Sequence, residues 1–128
     1  MAHSVLIVED EAILARNIQE FLEYHHYDVR VTGNSSDGLR QFEELHPDVV
    51  LLDVHLPDGD GRQVLRRIRQ VDANVGVIII TAFGSLELAV NAMAAGADNY
   101  VEKPVALDSL KLLIDKLIEG YRPPAGTS

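Results

Sequence analysis

The 128-residue sequence predicts one α/β domain, in which a five-stranded parallel sheet carries five helices on its two faces. Its length fits a single domain with a substantial hydrophobic core. Short apolar runs alternate with amphipathic segments through five strand–helix pairs, and this order is typical of a doubly wound parallel sheet. The central runs are continuously apolar, which indicates strands that are buried on both faces.

Each predicted strand has a composition that suits its place in such a sheet. Residues 75–80 (VGVIII) are the richest in β-branched side chains and predict a buried central strand. Residues 28–32 (DVRVT) alternate between polar and apolar side chains, as in an edge strand. The predicted strands are residues 4–8, 28–32, 49–52, 75–80 and 99–102.

The predicted helices have apolar residues three and four positions apart. In the first helix these are Leu14, Ile18, Phe21 and Leu22, and Gly96 suits the position just beyond the fourth helix. The predicted helices are residues 11–25, 37–45, 61–71, 85–95 and 107–119.

The composition excludes several classes of protein. The absence of cysteine excludes a disulfide framework and a thiolate metal site. No apolar run approaches the roughly 20 residues of a membrane helix, and MAHSVLIVEDE lacks the basic leader of a signal peptide. We therefore expect a cytoplasmic protein without a membrane partner. A formal net charge of −9 predicts no direct nucleic-acid binding. The basic cluster at Arg62, Arg66, Arg67 and Arg69 is interpreted as a solvated helix face.

Polar side chains follow four of the predicted strands at their carboxyl ends. In chain order they are Glu9, Asp10 and Glu11 at the first strand, Asp53 at the third, Thr81 at the fourth, and Glu102, Lys103 and Pro104 at the fifth. In a parallel sheet all these ends lie on one edge, where ligands bind at a switch in strand order. We therefore expect these groups to converge on one crevice.

Some of these residues also have a purely structural interpretation. Asp10 could cap the first helix, and Thr81 could simply be a β-branched residue at a strand end. Asp53 lies too early to cap the next helix, which cannot begin before Pro57, although an Asx turn remains open.

The combination of groups indicates a magnesium site that supports phosphoryl transfer. Carboxylates at adjacent strand ends repel each other unless a cation joins them. Hard oxygen ligands without cysteine or clustered histidine favour Mg²⁺ over Zn²⁺. A metal, a free carboxylate, a hydroxyl and a lysine are the groups required for phosphoryl transfer to a carboxylate nucleophile.

At these residues the chain resembles the receiver domain of response regulators in bacterial two-component systems. The similarity covers about residues 4–120 and depends on LIVEDE, DVVLLDVHLPDGDG, VIIITAFGS and GADNYVEKP, in that order. The segment TAFGSLELAVNAMAAGADNYVEKP is most similar to receivers of NtrC-type transcription activators. The resemblance implies a flavodoxin-like sheet of order 2-1-3-4-5, a receiver domain over residues 1–120, and a linker or tail over residues 121–128.

The resemblance also implies the roles of the polar residues. Asp53 would accept a phosphoryl group from a histidine kinase or a phosphotransfer protein, and the domain would be a signalling phosphoacceptor rather than an enzyme. Mg²⁺ would be the cofactor. Its ligands would be Glu9, Asp10, Asp53 and the backbone carbonyl of His55, and Lys103 would pair with the phosphoryl oxygens.

A conformational switch is implied as well. Thr81 would move toward the phosphoryl group, and Tyr100 would turn inward behind it. The peptide bond between Lys103 and Pro104 would be cis, and bulky Phe83 is expected to shield the acyl phosphate from water.

The fourth and fifth predicted helices are more apolar than a surface helix requires. We therefore expect the face formed by helix 4, strand 5 and helix 5 to bind a partner, most simply a second copy of the chain in a homodimer. The switch would then control an effector domain in transcription regulation.

Three alternatives have distinct requirements. A flavodoxin-type cofactor binder requires a phosphate loop rich in Ser, Thr or Gly, where this chain has Glu9 and Asp10. A haloacid-dehalogenase-type phosphatase expects an acid at the position of His55. A degenerate receiver that acts only as a partner-binding module is disfavoured by the complete set of acids with Thr81 and Lys103.

Overall fold

The protein is described by a computed structural model over residues 2–82 and 86–120. The strands in these ranges are β1 (Ser4–Val8), β2 (Asp28–Thr32), β3 (Val49–Asp53), β4 (His55–Leu56), β5 (Gly59–Asp60), β6 (Gly76–Thr81) and β7 (Asn99–Glu102). The helices are α1 (Ala12–Tyr24), α2 (Ser35–Leu45), α3 (Gly61–Val71), α4 (Leu86–Ala94) and α5 (Leu107–Ile118). Phe83, the predicted start of the fourth helix at Ser85, and residues 121–128 lie outside the described residues.

Five strands form one parallel sheet in the order β2-β1-β3-β6-β7. Counted among themselves these strands have the order 2-1-3-4-5, so the predicted flavodoxin-like arrangement is confirmed. Val8, Leu52 and Ile79 lie side by side in adjacent strands. This register brings the carboxyl ends of the three central strands to one level. The chain order reverses between β1 and β3, and this is where a doubly wound sheet opens a crevice.

Each face of the sheet is covered by helices, as the continuously apolar strands predict. On one face, side chains of β1, β3 and β6 pack against Phe42 of α2, Leu65 of α3 and Ala92 of α4. On the other face, alternate residues of the same strands pack against Ile18 of α1 and Ile114 of α5. The buried strands therefore form a rigid support for whatever lies at their ends.

Apart from shifts of one residue at the ends of elements, the structure differs from the sequence-based expectations in three respects. Residues 54–60, where neither a strand nor a helix is predicted, contain an antiparallel ribbon of β4 and β5 with His55 opposite Asp60. Helix α2 begins two residues early, because the side chain of Asn34 caps it by accepting a hydrogen bond from the Asp37 N–H. Asp10 does not cap α1, whose N-cap residue is Glu11.

No helix among residues 2–82 and 86–120 has the length and apolarity to span a membrane.

Candidate functional site

Three carboxylates meet in the crevice between β1 and β3. Glu9 directly follows β1 and Asp53 ends β3, and only 1% and 2% of their surfaces are exposed. Asp10 lies beside them but is exposed. One carboxylate oxygen of each residue lies within 4.8 Å of the other two. The fold therefore concentrates negative charge at this point, although two of the groups are shielded from water.

Lys103 brings the balancing positive charge from the loop after β7. Its Nζ lies 3.0 Å from Asp53 Oδ2 and 3.1 Å from Glu9 Oε1, and it also donates a hydrogen bond to Glu11. The Lys103 backbone N–H donates to the Thr81 carbonyl at 2.8 Å, and the following bond to Pro104 is cis. These four residues, Glu9, Glu11, Asp53 and Lys103, are called the Lys103 cluster below.

The hydrogen bonding of this region is incomplete. Asp53 Oδ1 accepts a bond from the His55 N–H at 2.9 Å, so the Asx-type turn left open by the sequence is present. Glu9 Oε2 accepts from the Glu11 N–H at 3.0 Å. Among residues 2–82 and 86–120, the buried side-chain oxygens without a hydrogen-bond partner are Glu9 Oε1 and Thr81 Oγ1. Lys103 is close enough to Glu9 Oε1 for an ion pair, but it is not aligned for a hydrogen bond. Buried polar atoms rarely lack a hydrogen-bond partner, and a catalytic role or a bound ion is among the usual reasons.

The pKa values of Glu9 and Lys103 reflect the excess of carboxylates over cations in the site. Burial raises the pKa of Glu9 from 4.5 to about 7, and the neighbouring Asp53 acts in the same direction. Burial alone would lower the pKa of Lys103, but its hydrogen bonds to Glu11 and Asp53 and the nearby Glu9 carboxylate outweigh this effect and raise that pKa. Lys103 therefore stays charged while Glu9 resists ionisation. An oxygen-rich site in which one buried carboxylate oxygen lacks a hydrogen bond fits Mg²⁺.

The backbone beneath Asp53 is held by a close approach that the sequence analysis missed. A Cβ atom on Gly61, the first residue of α3, would overlap the Asp53 carbonyl oxygen and would lie 2.8 Å from the Val54 Cα. The Gly61 N–H donates to the Val54 carbonyl at 3.0 Å, and the Asp60 side chain caps α3 through the Arg62 N–H at 2.8 Å. The Gly-Asp-Gly run after Pro57 was the available signal, since glycine often marks a close backbone contact.

The two predicted switch residues lie on neighbouring strands. Thr81 ends β6 and is fully buried, and its register partner on β7 is Glu102. Tyr100 is two residues before that partner, so the two side chains share one face of the sheet. Tyr100 is partly buried against the same core cluster as Leu88 of α4. The pair therefore connects the crevice to the α4 side of the domain.

Helix α4 exposes apolar side chains at this side of the molecule. Leu86, Val90 and Met93 are all exposed, at spacings of four and three residues that place them on one stripe of the helix. Leu112 on α5 is exposed as well. The apolar character expected of this face from the sequence is thus present at the surface.

The domain thus combines a doubly wound parallel sheet with three acids and a lysine at the switch point of its strand order. Residues 5–115 match the response regulator receiver domain, and the chain belongs to this family. Receiver domains are signalling phosphoacceptors that interact with histidine kinases and effector domains. The predicted family and fold are confirmed.

The relatives span more than one kind of regulator. The chain is 37% identical to the transcriptional regulatory protein TrcR of Mycobacterium tuberculosis, over 83% of this chain and 41% of that protein. It is 34% identical to the regulatory protein AtoC of Escherichia coli, over 90% of this chain and 25% of that protein. The signal receiver domain of a LuxO repressor protein from Vibrio parahaemolyticus superposes with a TM-score of 0.87 at 35% identity, covering 94% of this chain and 92% of that one. The chain therefore spans less than half the length of the first two regulators.

Proposed function

We propose that the domain accepts a phosphoryl group onto Asp53 from the phosphohistidine of a histidine kinase or a phosphotransfer protein. The observation that carries this proposal is the setting of Asp53. It is a buried carboxylate with one oxygen on the His55 N–H and the other beside the Lys103 ammonium, next to two further acids. Such a setting orients the carboxylate and supplies positive charge for an incoming phosphoryl group.

The phosphoryl transfer involves two reactants, the phosphohistidine of the donor and the Asp53 carboxylate. A carboxylate oxygen of Asp53 forms a bond to the phosphorus, the phosphorus–nitrogen bond of the donor breaks, and its electron pair returns to the imidazole nitrogen. In dephosphorylation, which ends the signal, water attacks the phosphorus and the bond to the Asp53 oxygen breaks, which releases inorganic phosphate. Lys103 neutralises phosphoryl charge in both steps. Beyond these reactions on itself, the domain is not an enzyme.

Mg²⁺ is the proposed cofactor. Glu9, Asp10, Asp53 and the backbone carbonyl of His55 would hold it, and the unpartnered Glu9 oxygen supports this assignment. When bound, the ion supplies positive charge that offsets the negative charge of the phosphoryl oxygens.

Thr81 and Tyr100 are proposed to report the phosphorylated state. The buried Thr81 hydroxyl lacks a partner in the structure, and a phosphoryl group on Asp53 would offer it one. Movement of Thr81 leaves space on its face of the sheet, into which the partly exposed Tyr100 turns. Lys103 and Pro104 hold the loop that follows.

The output surface is proposed to be the face of α4, β7 and α5, used for homodimerisation or for an effector domain in transcription regulation. In this scheme residues 1–120 form the receiver and residues 121–128 a linker or tail, and the acidic chain does not itself bind nucleic acid. Val90→Asp should weaken self-association measured by sedimentation with beryllofluoride, whereas Val71→Asp, at an exposed valine of α3, should not. Equal self-association of both variants would argue against this surface.

The central test is phosphorylation by acetyl phosphate with Mg²⁺, followed by intact mass. The wild type should gain the mass of one phosphoryl group, Asp53→Ala should gain none, and Asp48→Ala, at an exposed acid of the opposite edge, should behave as wild type. A wild type that gains no mass and shows no response to beryllofluoride would refute the proposal. The domain would then be a degenerate receiver that acts through partner binding alone.

A further inference from the structure

The ribbon of β4 and β5 ends in a turn whose side chain reaches another element. Asp58 Oδ1 accepts hydrogen bonds from the Ser35 N–H at 2.7 Å and the Ser35 hydroxyl at 2.6 Å. Its other oxygen, Oδ2, accepts from the Ser36 N–H at 3.1 Å. The carboxylate thus binds the amino terminus of α2, although it lies 22 residues or more away in the chain.

Asp58 completes a cap that α2 begins for itself. The Asn34 side chain accepts from the Asp37 N–H at 2.9 Å, which leaves the first two amides of the helix for another acceptor. Asp58 accepts from both, and its negative charge suits the positive end of the helix dipole. The hydrogen bonds from Ser35 lower the pKa of Asp58 to about 2, so this carboxylate is ionised at neutral pH.

The same ribbon carries the backbone of the candidate metal site. His55 in β4 donates its N–H to Asp53 and lies opposite Asp60 in β5. Asp60 joins the base of the ribbon to the start of α3 through the Arg62 N–H. The tip is joined to α2 through Asp58. Two helix caps therefore set the position of a segment of only seven residues, 54–60.

We propose that Asp58 is a positioning residue for the metal site, acting through the ribbon to hold the His55 backbone carbonyl in the crevice. This inference rests on the proposed function, since it assumes that the His55 carbonyl is a Mg²⁺ ligand. Without the cap the tip is released, and metal binding must then also order the ribbon, which weakens affinity. By linkage, Mg²⁺ should in turn stabilise the cap on α2.

The test is a Mg²⁺ titration of the isotope-labelled chain, followed by the backbone amide signals of residues 54–56. In Asp58→Ala the dissociation constant for Mg²⁺ should rise about three- to tenfold, the range expected when a helix cap is lost. Asp58→Asn keeps an acceptor for Ser35 and should give an intermediate value. Asp72→Ala is the matched control, because Asp72 accepts from the Asn74 and Val75 N–H groups far from the site. Its Mg²⁺ affinity should equal that of the wild type.

Hydrogen exchange at Ser35 and Ser36 provides a second readout that a loss of general stability would not imitate. Mg²⁺ should slow exchange of these amides in the wild type and leave them unchanged in Asp58→Ala. Equal Mg²⁺ affinity in both proteins, or the same slowing in both, would overturn the role of Asp58 and leave the proposed function intact. A wild type that does not bind Mg²⁺ would overturn both. If Asp58→Ala does not fold, Asp58→Asn and Ser35→Ala decide the question by the same measurements.

Discussion

Lys103 and Arg69 are both partly buried cations, with 22% and 16% of their side chains exposed, but their surroundings differ. Lys103 lies at the carboxyl edge of the sheet among Glu9, Glu11 and Asp53. Arg69 lies where α3 meets the turn between α4 and β7, and it forms an ion pair with Asp98 at 3.0 Å. Both cations join segments that are distant in the chain. The charges around Arg69 are balanced, whereas Lys103 faces an excess of carboxylates.

The surroundings of Arg69 are complementary. Its guanidinium donates to the carbonyls of Gly96 at 2.9 Å and Val75 at 2.6 Å, and to the Asp98 carboxylate. Asp98 also accepts from the Val77 N–H at 2.8 Å. One positive and one negative group thus share a network of well-formed bonds, which we call the Arg69 cluster (Arg69, Val75, Val77, Gly96 and Asp98).

The Lys103 cluster carries three carboxylates for one ammonium, and the buried Glu9 Oε1 has no hydrogen bond. Such an arrangement costs stability and persists where a function requires it. The two clusters should therefore respond oppositely to mutation. Removing a side chain of the Arg69 cluster should lower the stability of the domain. Removing a buried polar group that lacks a hydrogen bond in the crevice should raise it.

Gly61→Ala should have the largest effect, because the crevice rests on a backbone that cannot move. The new Cβ would overlap the Asp53 carbonyl oxygen, so β3 and α3 would have to separate. We expect a loss of more than about 3 kcal/mol in the free energy of unfolding, measured in urea. Gly33→Ala is the control, since among residues 2–82 and 86–120 no atom beyond its chain neighbours lies within 4 Å of the place its new Cβ would take. It should stay within about 0.5 kcal/mol of wild type. Equal stabilities would show that the backbone under Asp53 adapts freely.

Arg69→Ala should have the next largest effect and tests the other half of the comparison. It leaves Asp98 and two carbonyls without this donor in a region where only 16% of the Arg69 side chain is exposed. We expect a loss of about 2–4 kcal/mol by urea unfolding. Arg66→Ala, at an exposed arginine of the same helix, should change stability by about 0.5 kcal/mol or less. A small effect of Arg69→Ala would remove the distinction between the clusters.

The pH dependence of stability should expose Glu9. Burial raises its pKa from 4.5 to about 7, so between these values the folded chain holds a proton that the unfolded chain has lost. The contribution is fully present below pH 4.5 and is lost as the pH rises through about 7. We compare the free energy of unfolding of Glu9→Gln with that of wild type in the absence of divalent cations. This difference should shift by about 1–3 kcal/mol in favour of the variant as the pH rises from below to above this window. Unfolding curves at several pH values give this difference, in which histidine contributions cancel. Parallel curves would contradict the raised pKa.

The smallest effect is expected from substitutions at Thr81 and Thr32, which are both buried. Thr81→Val removes a hydroxyl without a partner and should stabilise the domain by about 1 kcal/mol, while it impairs the proposed switch. Thr32→Val is the matched control, because the Thr32 hydroxyl donates to the Ile7 carbonyl at 3.3 Å and its loss should cost about 0.5–1 kcal/mol. Thermal or urea unfolding separates the two outcomes. Effects of the same sign would show that the missing partner of Thr81 is immaterial.

The local pattern of the sequence was sufficient for much of the fold. The apolar run of residues 75–80 predicts a strand and the spacing of Ile18 and Leu22 predicts a helix, because burial selects side chains with the period of each element. The alternation of these elements determines a parallel sheet. That sheet brings Glu9, Asp53 and Lys103 to one edge, where the Lys103 ammonium lies within about hydrogen-bond distance of both carboxylates.

Other features depend on groups that meet only after the chain has folded. The contact of Asp58 with α2, the close approach of Gly61 to Asp53 and the pairing of Arg69 with Asp98 join segments whose spacing has no periodic signature. The elements, their parallel order and the residue types in the crevice follow from the sequence, because burial and strand direction dictate them. Which buried oxygens have a hydrogen-bond partner depends on the folded structure, because a hydrogen bond requires a short distance and a favourable angle between groups that are far apart in the chain.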